Sequence, residues 1–348
     1  MRPLRIGING LGRIGRLVLR HAVMRHLVPE ASGATRHGRP IEVVAANDLS
    51  SIDDLVHLLT FDSVHRRALF PIERDGDRIV AGPASVRIFS ESDPAKIPWA
   101  EAGVEIVLEC TGRFTRADAA RGHLQASTVR RVIVGAPAKG APTFVVGVND
   151  HDLPEDAPVV SNASCTTNAL VPVLHTLQRV FGIRWAILGT VHAYTNGQAL
   201  VDAAVGKDLR RHRAAAVNIV PTTTGAGRAV VEVLPELSGK LAASAVRVPV
   251  PDGSWFEVTA TFDRPAGPEE VIEALRHAAE TEALRGILEV SDDPLVSSDI
   301  VGRTASSIVD AGATLGVGAL VKVCGWYDNE FAYAARLLDL ASVAGGAP

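Results

Sequence analysis

The sequence predicts an α/β protein with two domains, in which a doubly wound parallel sheet is followed by an α+β domain with a mainly antiparallel sheet. In the first part of the chain, short apolar runs alternate with segments whose apolar residues recur at helical spacing, a pattern typical of parallel sheets. From about residue 185 the apolar runs lengthen and are joined by irregular loops, which favours an antiparallel sheet. The chain has 348 residues, of which 47% are hydrophobic, enough for two separate cores.

The elements that carry this prediction follow one another along the chain. In the first part, strands are expected over residues 4–9, 41–46, 104–108 and 131–134, and helices over residues 16–23 and about 116–126. In the second part, strands are expected over residues 185–191, 243–250, 255–262 and 320–326, and helices over residues 268–281 and 329–341. A polar stretch rich in glycine and proline, at about residues 27–40, is expected to be an exposed loop insertion.

The composition narrows the range of partners and compartments. The 35 basic and 39 acidic residues give a net charge of −4, so no charge excess favours nucleic acid or an anionic membrane as the main partner. Three cysteines, Cys110, Cys165 and Cys324, are too few and too scattered for a disulfide framework or a closed zinc site. No run of about 18 uncharged apolar residues occurs. We therefore expect a cytoplasmic protein without a metal site.

A glycine-rich turn, with Gly10, Gly12 and Gly15, separates the first predicted strand from the first predicted helix. The first glycine allows the tight turn, the second lets the backbone approach a pyrophosphate, and the third lets helix and strand pack closely. Asp48 follows the next strand, where a carboxylate binds the adenosine ribose hydroxyls and repels a 2′-phosphate. The pattern predicts a Rossmann domain that binds NAD in preference to NADP. The alternative is that the three glycines serve only a tight turn.

Cys165 lies in the polar stretch SNASCTTN, over residues 161–168, which an apolar helical run follows at once. This junction predicts that Cys165 begins a helix, where the dipole and the free N–H groups lower the pKa of a thiol. His192 ends an apolar strand and opens a loop, a position from which it can contact a cysteine on another element and act as its base. Taken alone, each of these residues is also compatible with a purely structural role.

Eight segments in this order resemble phosphorylating glyceraldehyde-3-phosphate dehydrogenase of the type I family. They read NGLGRIGR, SNASCTTN, VHAYTN, KDLRR, PTTTGAGRAV, LPELSGKL, AVRVP and WYDNE. The resemblance runs from Ile6 to about Leu340, and the SNASCTTN block is highly specific for the family. It implies an NAD-binding domain over residues 1–164 completed by a C-terminal helix over 329–348, a catalytic domain over residues 165–328, and a homotetramer.

The resemblance also implies the chemistry. Cys165 would attack the aldehyde of D-glyceraldehyde 3-phosphate to give a thiohemiacetal, and hydride transfer to NAD would leave a thioester. Inorganic phosphate would then release 1,3-bisphosphoglycerate, with His192 as the activating base. A thioester conserves the energy of the oxidation for phosphate attack, and a thiolate is nucleophilic near neutral pH.

Further binding residues follow from position and from the resemblance. Thr111 and Gly112, after a later strand, are expected to line the nicotinamide side of the cofactor crevice. By resemblance, the residues that contact the cofactor also include Asn9, Arg13, Ile14, Asn329 and Tyr333. The substrate phosphate would be held by Arg247 and Thr195, and the attacking phosphate by Ser164, Thr166, Thr224 and Gly225, with Arg211 as a further member. Without the resemblance, Arg247 could equally form a surface ion pair, and residues 222–225 a simple turn.

The chain also departs from the family pattern, as a somewhat divergent member would. The second cysteine of the common SCTTNC block is Ala169, and the carboxylate of the usual TND is replaced by Gly197. The usual LPHKD is replaced by a longer segment around residues 203–206, which bears on subunit contacts. Ser92 and Gly135 replace residues that commonly contact the cofactor, so NAD affinity could be weakened.

Two other functions remain open at this stage. Erythrose-4-phosphate dehydrogenase, a sister family, releases the acid with water instead of phosphate. A non-catalytic NAD-binding paralogue would use the same scaffold for regulation or interaction, but such a protein is expected to lose Cys165 or His192, and both are present.

Overall fold

The computed structural model describes residues 2–27 and 39–346. The loop insertion expected at about residues 27–40 lies mostly outside the described residues. Contacts divide the chain into two compact units, one formed by Met1–Ser164 together with Tyr333–Pro348 and the other by Cys165–Ala332. As limits of independent domains, the predicted boundaries remain a prediction, and each unit is described by itself below.

The first unit contains a sheet of eight strands. Their bounds are β1 Leu4–Asn9, β2 Ile41–Asn47, β3 Ile72–Asp75, β4 Arg78–Ala81, β5 Ala84–Phe89, β6 Ile106–Glu109, β7 Arg131–Val134 and β8 Val159–Ser161. The spatial order is β3-β4-β5-β2-β1-β6-β7-β8. All neighbouring pairs from β5 to β8 in this order are parallel, whereas β3 and β4 add an antiparallel edge that was not expected from the sequence. The predicted parallel sheet is thus confirmed.

The central strands of this sheet are buried on both faces, which explains their continuous apolar runs. Ile6, Ile8, Val107 and Ile133 are fully buried. The runs end in polar residues, Asn9 on β1, Asn47 on β2 and Glu109 on β6, at the carboxyl ends of adjacent parallel strands. Ligands of doubly wound sheets bind at this edge.

The α-helices in the part of this unit before Cys165 are α1 Arg13–Leu27, α2 Ile52–Thr60 and α3 Ala117–Ala120, as far as the structure describes it. Ser51 caps α2, because its hydroxyl accepts the N–H of Asp54 at 3.1 Å. The helix expected at about 116–126 is shorter than predicted, since Arg121–Gln125 forms a 3₁₀ turn. Gly122 packs so closely there that an added Cβ would lie 3.0 Å from the Cβ of Pro94.

The second unit contains a sheet of seven strands. Their bounds are β9 Ile183–Ala193, β10 Val220–Thr222, β11 Leu241–Val248, β12 Ser254–Phe262, β13 Leu288–Ser291, β14 Ser307–Val317 and β15 Leu320–Tyr327. The spatial order is β10-β11-β9-β12-β15-β14-β13, with parallel pairing only between β11 and β9 and between β13 and β14. The mainly antiparallel sheet predicted for this part is confirmed, although β11 begins two residues earlier than expected.

The remaining helices are α4 Cys165–Phe181, α5 Ala226–Val233, α6 Pro268–Glu280, α7 Ser297–Ile300 and α8 Phe331–Ala344. The start of α8 differs from the predicted residue 329. The carboxylate of Asp328 accepts the N–H groups of Glu330 at 2.9 Å and of Phe331 at 2.6 Å, and this cap fixes where the helix begins. Among the residues that the structure describes, no helix combines the length and the apolar character needed to cross a membrane.

One face of the second sheet carries exposed apolar side chains. Trp185 and Ile187 on β9 are each 61% exposed, and Val317 on β14 is 72% exposed. Trp185 and Ile187 border a depression of about 350 Å³ together with Leu241 and Leu320. Large apolar side chains grouped in this way mark a surface that is suited to binding.

Candidate active site

The three glycines of the first unit occupy distinct environments. Gly10 has a φ of +90°, which side-chain-bearing residues rarely adopt. A Cβ on Gly15 would lie 1.9 Å from the carbonyl oxygen of Gly10, so this residue must be glycine for helix and strand to pack. A Cβ on Gly12 would meet nothing within 4 Å and would project into open space. The open space beside Gly12, at the start of α1, fits a pyrophosphate group.

Asp48 lies directly after β2 and stabilises the glycine turn through hydrogen bonds. One carboxylate oxygen accepts the N–H of Leu11 at 2.7 Å, and the other accepts the N–H of Ser50 at 2.9 Å. A cavity of about 320 Å³ opens beside it. Five predicted cofactor residues, Asn9, Gly10, Gly12, Asp48 and Thr111, line this cavity, together with Asn47, Glu91, Ser92 and Cys110. The donor set and the open glycine turn fit an adenine dinucleotide.

Other residues predicted to contact the cofactor have partners within the protein. Arg13 pairs with the carboxylate of Asp62, and Ile14 is partly buried in the first turn of α1. Gly112 follows Thr111 with a φ of +69°. The Tyr333 hydroxyl donates to the carbonyl of Ala163 at 2.9 Å.

In the second unit, Cys165 begins α4 and His192 lies next to the last residue of β9. The Cys165 Sγ and the His192 Nε2 are 3.4 Å apart. The Nδ1 atom of His192 lies 2.7 Å from the carbonyl oxygen of Ala193, so Nδ1 carries the proton and donates it there. The lone pair of Nε2 is therefore directed to the thiol, which suits a base that accepts the thiol proton.

Arg247 is brought beside this pair by strand pairing. The parallel register of β9 and β11 aligns Arg247 with His192. Its Nη1 donates to the carbonyl of Ala193 and to the hydroxyl of Thr195, both at 3.0 Å. Arg247 and Thr195 are the two residues predicted to hold the substrate phosphate. Arg247 thus links Thr195 to the carbonyl group that orients His192.

Burial controls the protonation of the Cys165–His192 pair. It raises the pKa of the Cys165 thiol, against the opposing effects of the Arg247 guanidinium and the Thr166 N–H. It lowers the pKa of His192 to about 4, and the charge of Arg247 acts in the same direction. The helix N-terminus alone had predicted a lowered thiol pKa, and desolvation outweighs that effect here. Both shifts favour the uncharged forms, a thiol beside a neutral imidazole.

A buried tyrosine, Tyr327, packs beside this pair and was not among the residues expected at the site. The Tyr327 hydroxyl lies 2.9 Å from Oγ1 of Thr166 and 2.8 Å from Oγ1 of Thr190, and its ring meets the His192 ring edge-on at 5.8 Å. Burial raises the pKa of Tyr327, which keeps the hydroxyl protonated. The available signal was its place in the WYDNE segment.

Asn329, predicted to contact the cofactor, belongs to the same unit. Its Oδ1 accepts the hydroxyl of Ser254 at 2.6 Å, and that hydroxyl group accepts the N–H of Ala193 at 3.1 Å. Side chains therefore hold both backbone groups of Ala193, since Ser254 accepts its N–H and Arg247 donates to the carbonyl that orients His192.

The remaining phosphate-site candidates lie around Arg211 and the start of α5. Arg211 Nε donates to the hydroxyl of Thr222 at 2.9 Å, and an added Cβ on Gly197 would lie 3.9 Å from Arg211 Nη1 and 3.6 Å from Thr195 Oγ1. Thr224 Oγ1 accepts the N–H of Ala226 at 3.1 Å, with Gly225 at the N-cap of α5. Ser164 directly precedes α4. Thr195, Gly197, Arg211 and Arg247 thus lie in one region.

Comparison with known proteins identifies relatives along nearly the whole chain. Residues 4–117 match the NAD binding domain of glyceraldehyde 3-phosphate dehydrogenase, and residues 164–329 match its C-terminal domain. Glyceraldehyde-3-phosphate dehydrogenase 2 of Streptomyces arenae is 47% identical over 344 residues, 98% of each chain. The Geobacillus stearothermophilus enzyme is 47% identical over 342 residues, and Bacillus subtilis glyceraldehyde-3-phosphate dehydrogenase 1 is 46% identical over 349 residues, 97% of each chain in both cases.

The fold, the dinucleotide cavity and these matches define an NAD-dependent oxidoreductase. The chain belongs to the glyceraldehyde-3-phosphate dehydrogenase family, as the sequence segments predicted.

Proposed function

We propose that this chain catalyses the NAD-dependent oxidative phosphorylation of D-glyceraldehyde 3-phosphate to 1,3-bisphosphoglycerate. The observation that carries the proposal is the 3.4 Å contact between Cys165 Sγ and the unprotonated Nε2 of His192, beside the Arg247 guanidinium. A thiol next to a correctly oriented base is the arrangement that covalent aldehyde chemistry needs.

The first half of the reaction is proton transfer and addition at Cys165. His192 Nε2 takes the thiol proton as the sulfur bonds to the aldehyde carbon, and the proton passes to the former carbonyl oxygen to complete the thiohemiacetal. The glycine turn and Asp48 would hold NAD, which would supply the acceptor for the hydride that leaves the thiohemiacetal carbon. His192 then accepts the hydroxyl proton as the C=O bond reforms, which leaves Cys165 as a thioester.

The second half is the release of the acyl group. An oxygen of inorganic phosphate attacks the thioester carbon, the C–S bond breaks, and Cys165 leaves as a thiolate that regains the proton held by His192. Arg247 and Thr195 are proposed to hold the substrate phosphate through charge-assisted hydrogen bonds. Ser164, Thr166, Thr224 and Gly225, with Arg211, are proposed for the attacking phosphate. Their positions at the starts of α4 and α5 support this assignment, because helix N-termini favour anions.

We further propose a cytoplasmic homotetramer. The exposed apolar face around Trp185, Ile187 and Val317 supports self-association, since side chains of this size are rarely left grouped in solvent. A reducing compartment agrees with three cysteines that are all free in the structure.

The decisive test is NADH formation by purified protein with D-glyceraldehyde 3-phosphate and NAD, with and without inorganic phosphate. We expect turnover that depends on phosphate. Turnover indifferent to phosphate would contradict the acyl-phosphate mechanism and favour hydrolysis, as in erythrose-4-phosphate dehydrogenase. NAD binding without any turnover would instead favour the non-catalytic paralogue.

A further inference from the structure

A buried carboxylate lies behind the dinucleotide cavity and accepts four hydrogen bonds. Glu109, the last residue of β6, is only 2% exposed. Its Oε1 accepts the N–H of Thr111 at 2.8 Å and the Thr111 hydroxyl. Its Oε2 lies 2.6 Å from Nδ2 of Asn9 and 3.1 Å from Nε2 of His123. Neither His123 nor Glu109 lines the cavity itself.

The direction of each hydrogen bond in this cluster is fixed by chemistry. Trp99 Nε1 lies 3.1 Å from Nδ1 of His123, and an indole N–H can only donate. Nδ1 of His123 must therefore accept, which leaves the ring proton on Nε2, where it is donated to Glu109. The carboxylate of Glu109 thus faces donors only, and both His123 and Trp99 are fully buried.

Two of the three residues that donate to Glu109 are themselves walls of the cavity. Thr111 and Asn9 line it, and Thr111 Cγ2 packs so tightly on the glycine turn that a Cβ on Gly10 would lie 2.8 Å away. Asn9 Oδ1 accepts Nδ2 of Asn47 at 2.9 Å, and Asn47 in turn bonds the backbone of Glu91 through both side-chain ends. One buried carboxylate therefore connects walls contributed by three adjacent strands.

We infer that Glu109, with His123 and Trp99, is a positioning residue that holds Thr111 and Asn9 in the geometry NAD requires before the cofactor binds. The inference rests on the NAD-dependent activity proposed above and concerns residues that do not line the cavity. A wall ordered in advance loses little conformational freedom on binding, so the cluster acts mainly on cofactor affinity.

The test is Glu109→Gln, measured first as the dissociation constant for NAD by titration calorimetry on the full-length protein. One acceptor oxygen becomes an NH₂ group that faces donors, so the wall must rearrange. We expect NAD to bind about tenfold more weakly. In steady-state assays the KM for NAD should rise by a similar factor while kcat changes less than about twofold.

The matched control is Asp339→Asn. Asp339 is a carboxylate of the same unit that is 1% exposed and does not line the cavity. It accepts a hydrogen bond from Arg25 at 2.7 Å and forms an ion pair with Arg336 at 2.8 Å. The Asp339→Asn variant should have a lower melting temperature than the wild type and the same dissociation constant for NAD. Equal weakening of NAD binding by both variants would show a merely structural role and overturn the inference, as would wild-type affinity in Glu109→Gln.

A second variant keeps the inference falsifiable if Glu109→Gln does not fold. His123→Phe keeps a planar ring and removes the N–H that His123 donates to Glu109, at a residue that does not line the cavity. We expect NAD to bind about threefold to tenfold more weakly in this variant, with Asp339→Asn again as the control. Wild-type affinity in His123→Phe would contradict the inference. Wild-type protein that binds NAD without turnover would contradict the proposed function alone.

Discussion

Cys165 depends on charge supplied by a residue from another strand. Burial raises the pKa of its thiol, and Arg247 is the principal group that opposes this effect. Arg247 reaches the site only because β9 and β11 pair in parallel register. The reactivity of the cysteine is therefore set by tertiary structure as much as by its place at the start of α4.

Replacing Cys165 with serine should abolish turnover and spare the cofactor site. A hydroxyl is too weakly acidic for His192 to activate as it does a thiol, so kcat should fall by at least about 10³-fold. NAD binding, measured by calorimetry, should stay within about twofold of the wild type, since Cys165 does not line the dinucleotide cavity. Turnover near that of the wild type would refute the assignment of the nucleophile.

Arg247→Leu should slow alkylation of Cys165 by iodoacetamide about tenfold at pH 7. Removal of the cation raises the thiol pKa further, so less thiolate is present at any pH below that pKa, and the thiolate is the species that reacts. Arg247→Lys keeps the charge and serves as the matched control, with a much smaller loss expected. Equal rates in the leucine and lysine variants would contradict the electrostatic role.

At the scale of elements, two glycines of the same turn have different roles, since Gly15 is needed for folding and Gly12 for binding. Gly15→Ala should lower the free energy of unfolding by about 3 kcal/mol or prevent folding, because its Cβ would overlap the Gly10 carbonyl at 1.9 Å. Gly12→Ala should unfold like the wild type and bind NAD at least about tenfold more weakly, since its methyl group occupies open space meant for the pyrophosphate. Thermal melts and NAD titrations of the two variants distinguish these effects. A Gly12→Ala protein with full affinity would contradict the assigned cradle.

The elements that could be predicted are those whose pattern is local. Apolar spacing alone predicts the buried strands β1, β6 and β7 and the long helix α6. The strands β3 and β4 have four residues each, and β3 is mostly polar, so no apolar period marks them. The start of α8 depends on the Asp328 cap, a side-chain contact that spacing does not encode.

The site was predictable where one residue carries a recognisable local context. Cys165, His192, Gly10 and Asp48 each follow or begin an element that the sequence marks. Glu109 and Tyr327 could not be predicted, because their partners are far away along the chain. Asn9 is 100 residues from Glu109, and Thr166 is 161 residues from Tyr327. Pairings at such separation are decided by sheet order, which a single sequence does not display.

At the scale of the whole molecule, the exposed apolar face of the second sheet should govern self-association. Ile187→Glu changes a side chain that is 61% exposed, so the unfolding free energy of the chain should move by less than about 0.5 kcal/mol. Light scattering should nevertheless report a smaller assembly. Leu69→Glu, at a leucine 88% exposed in the first unit, is the control and should leave the mass unchanged. An unaltered mass for Ile187→Glu would exclude this face.

The division of the chain into units also sets an order for folding during synthesis. The first unit needs the segment from Tyr333 onward, yet the ribosome makes the whole of Cys165–Ala332 in between. Until the last residues emerge, Arg25 lacks its Asp339 partner and Arg131 lacks the carbonyl group of Ala344, which it contacts at 3.3 Å. The half of the protein that is synthesised first is thus the half that is completed last. A nascent chain stalled before residue 333 carries a finished glycine turn on an unfinished unit.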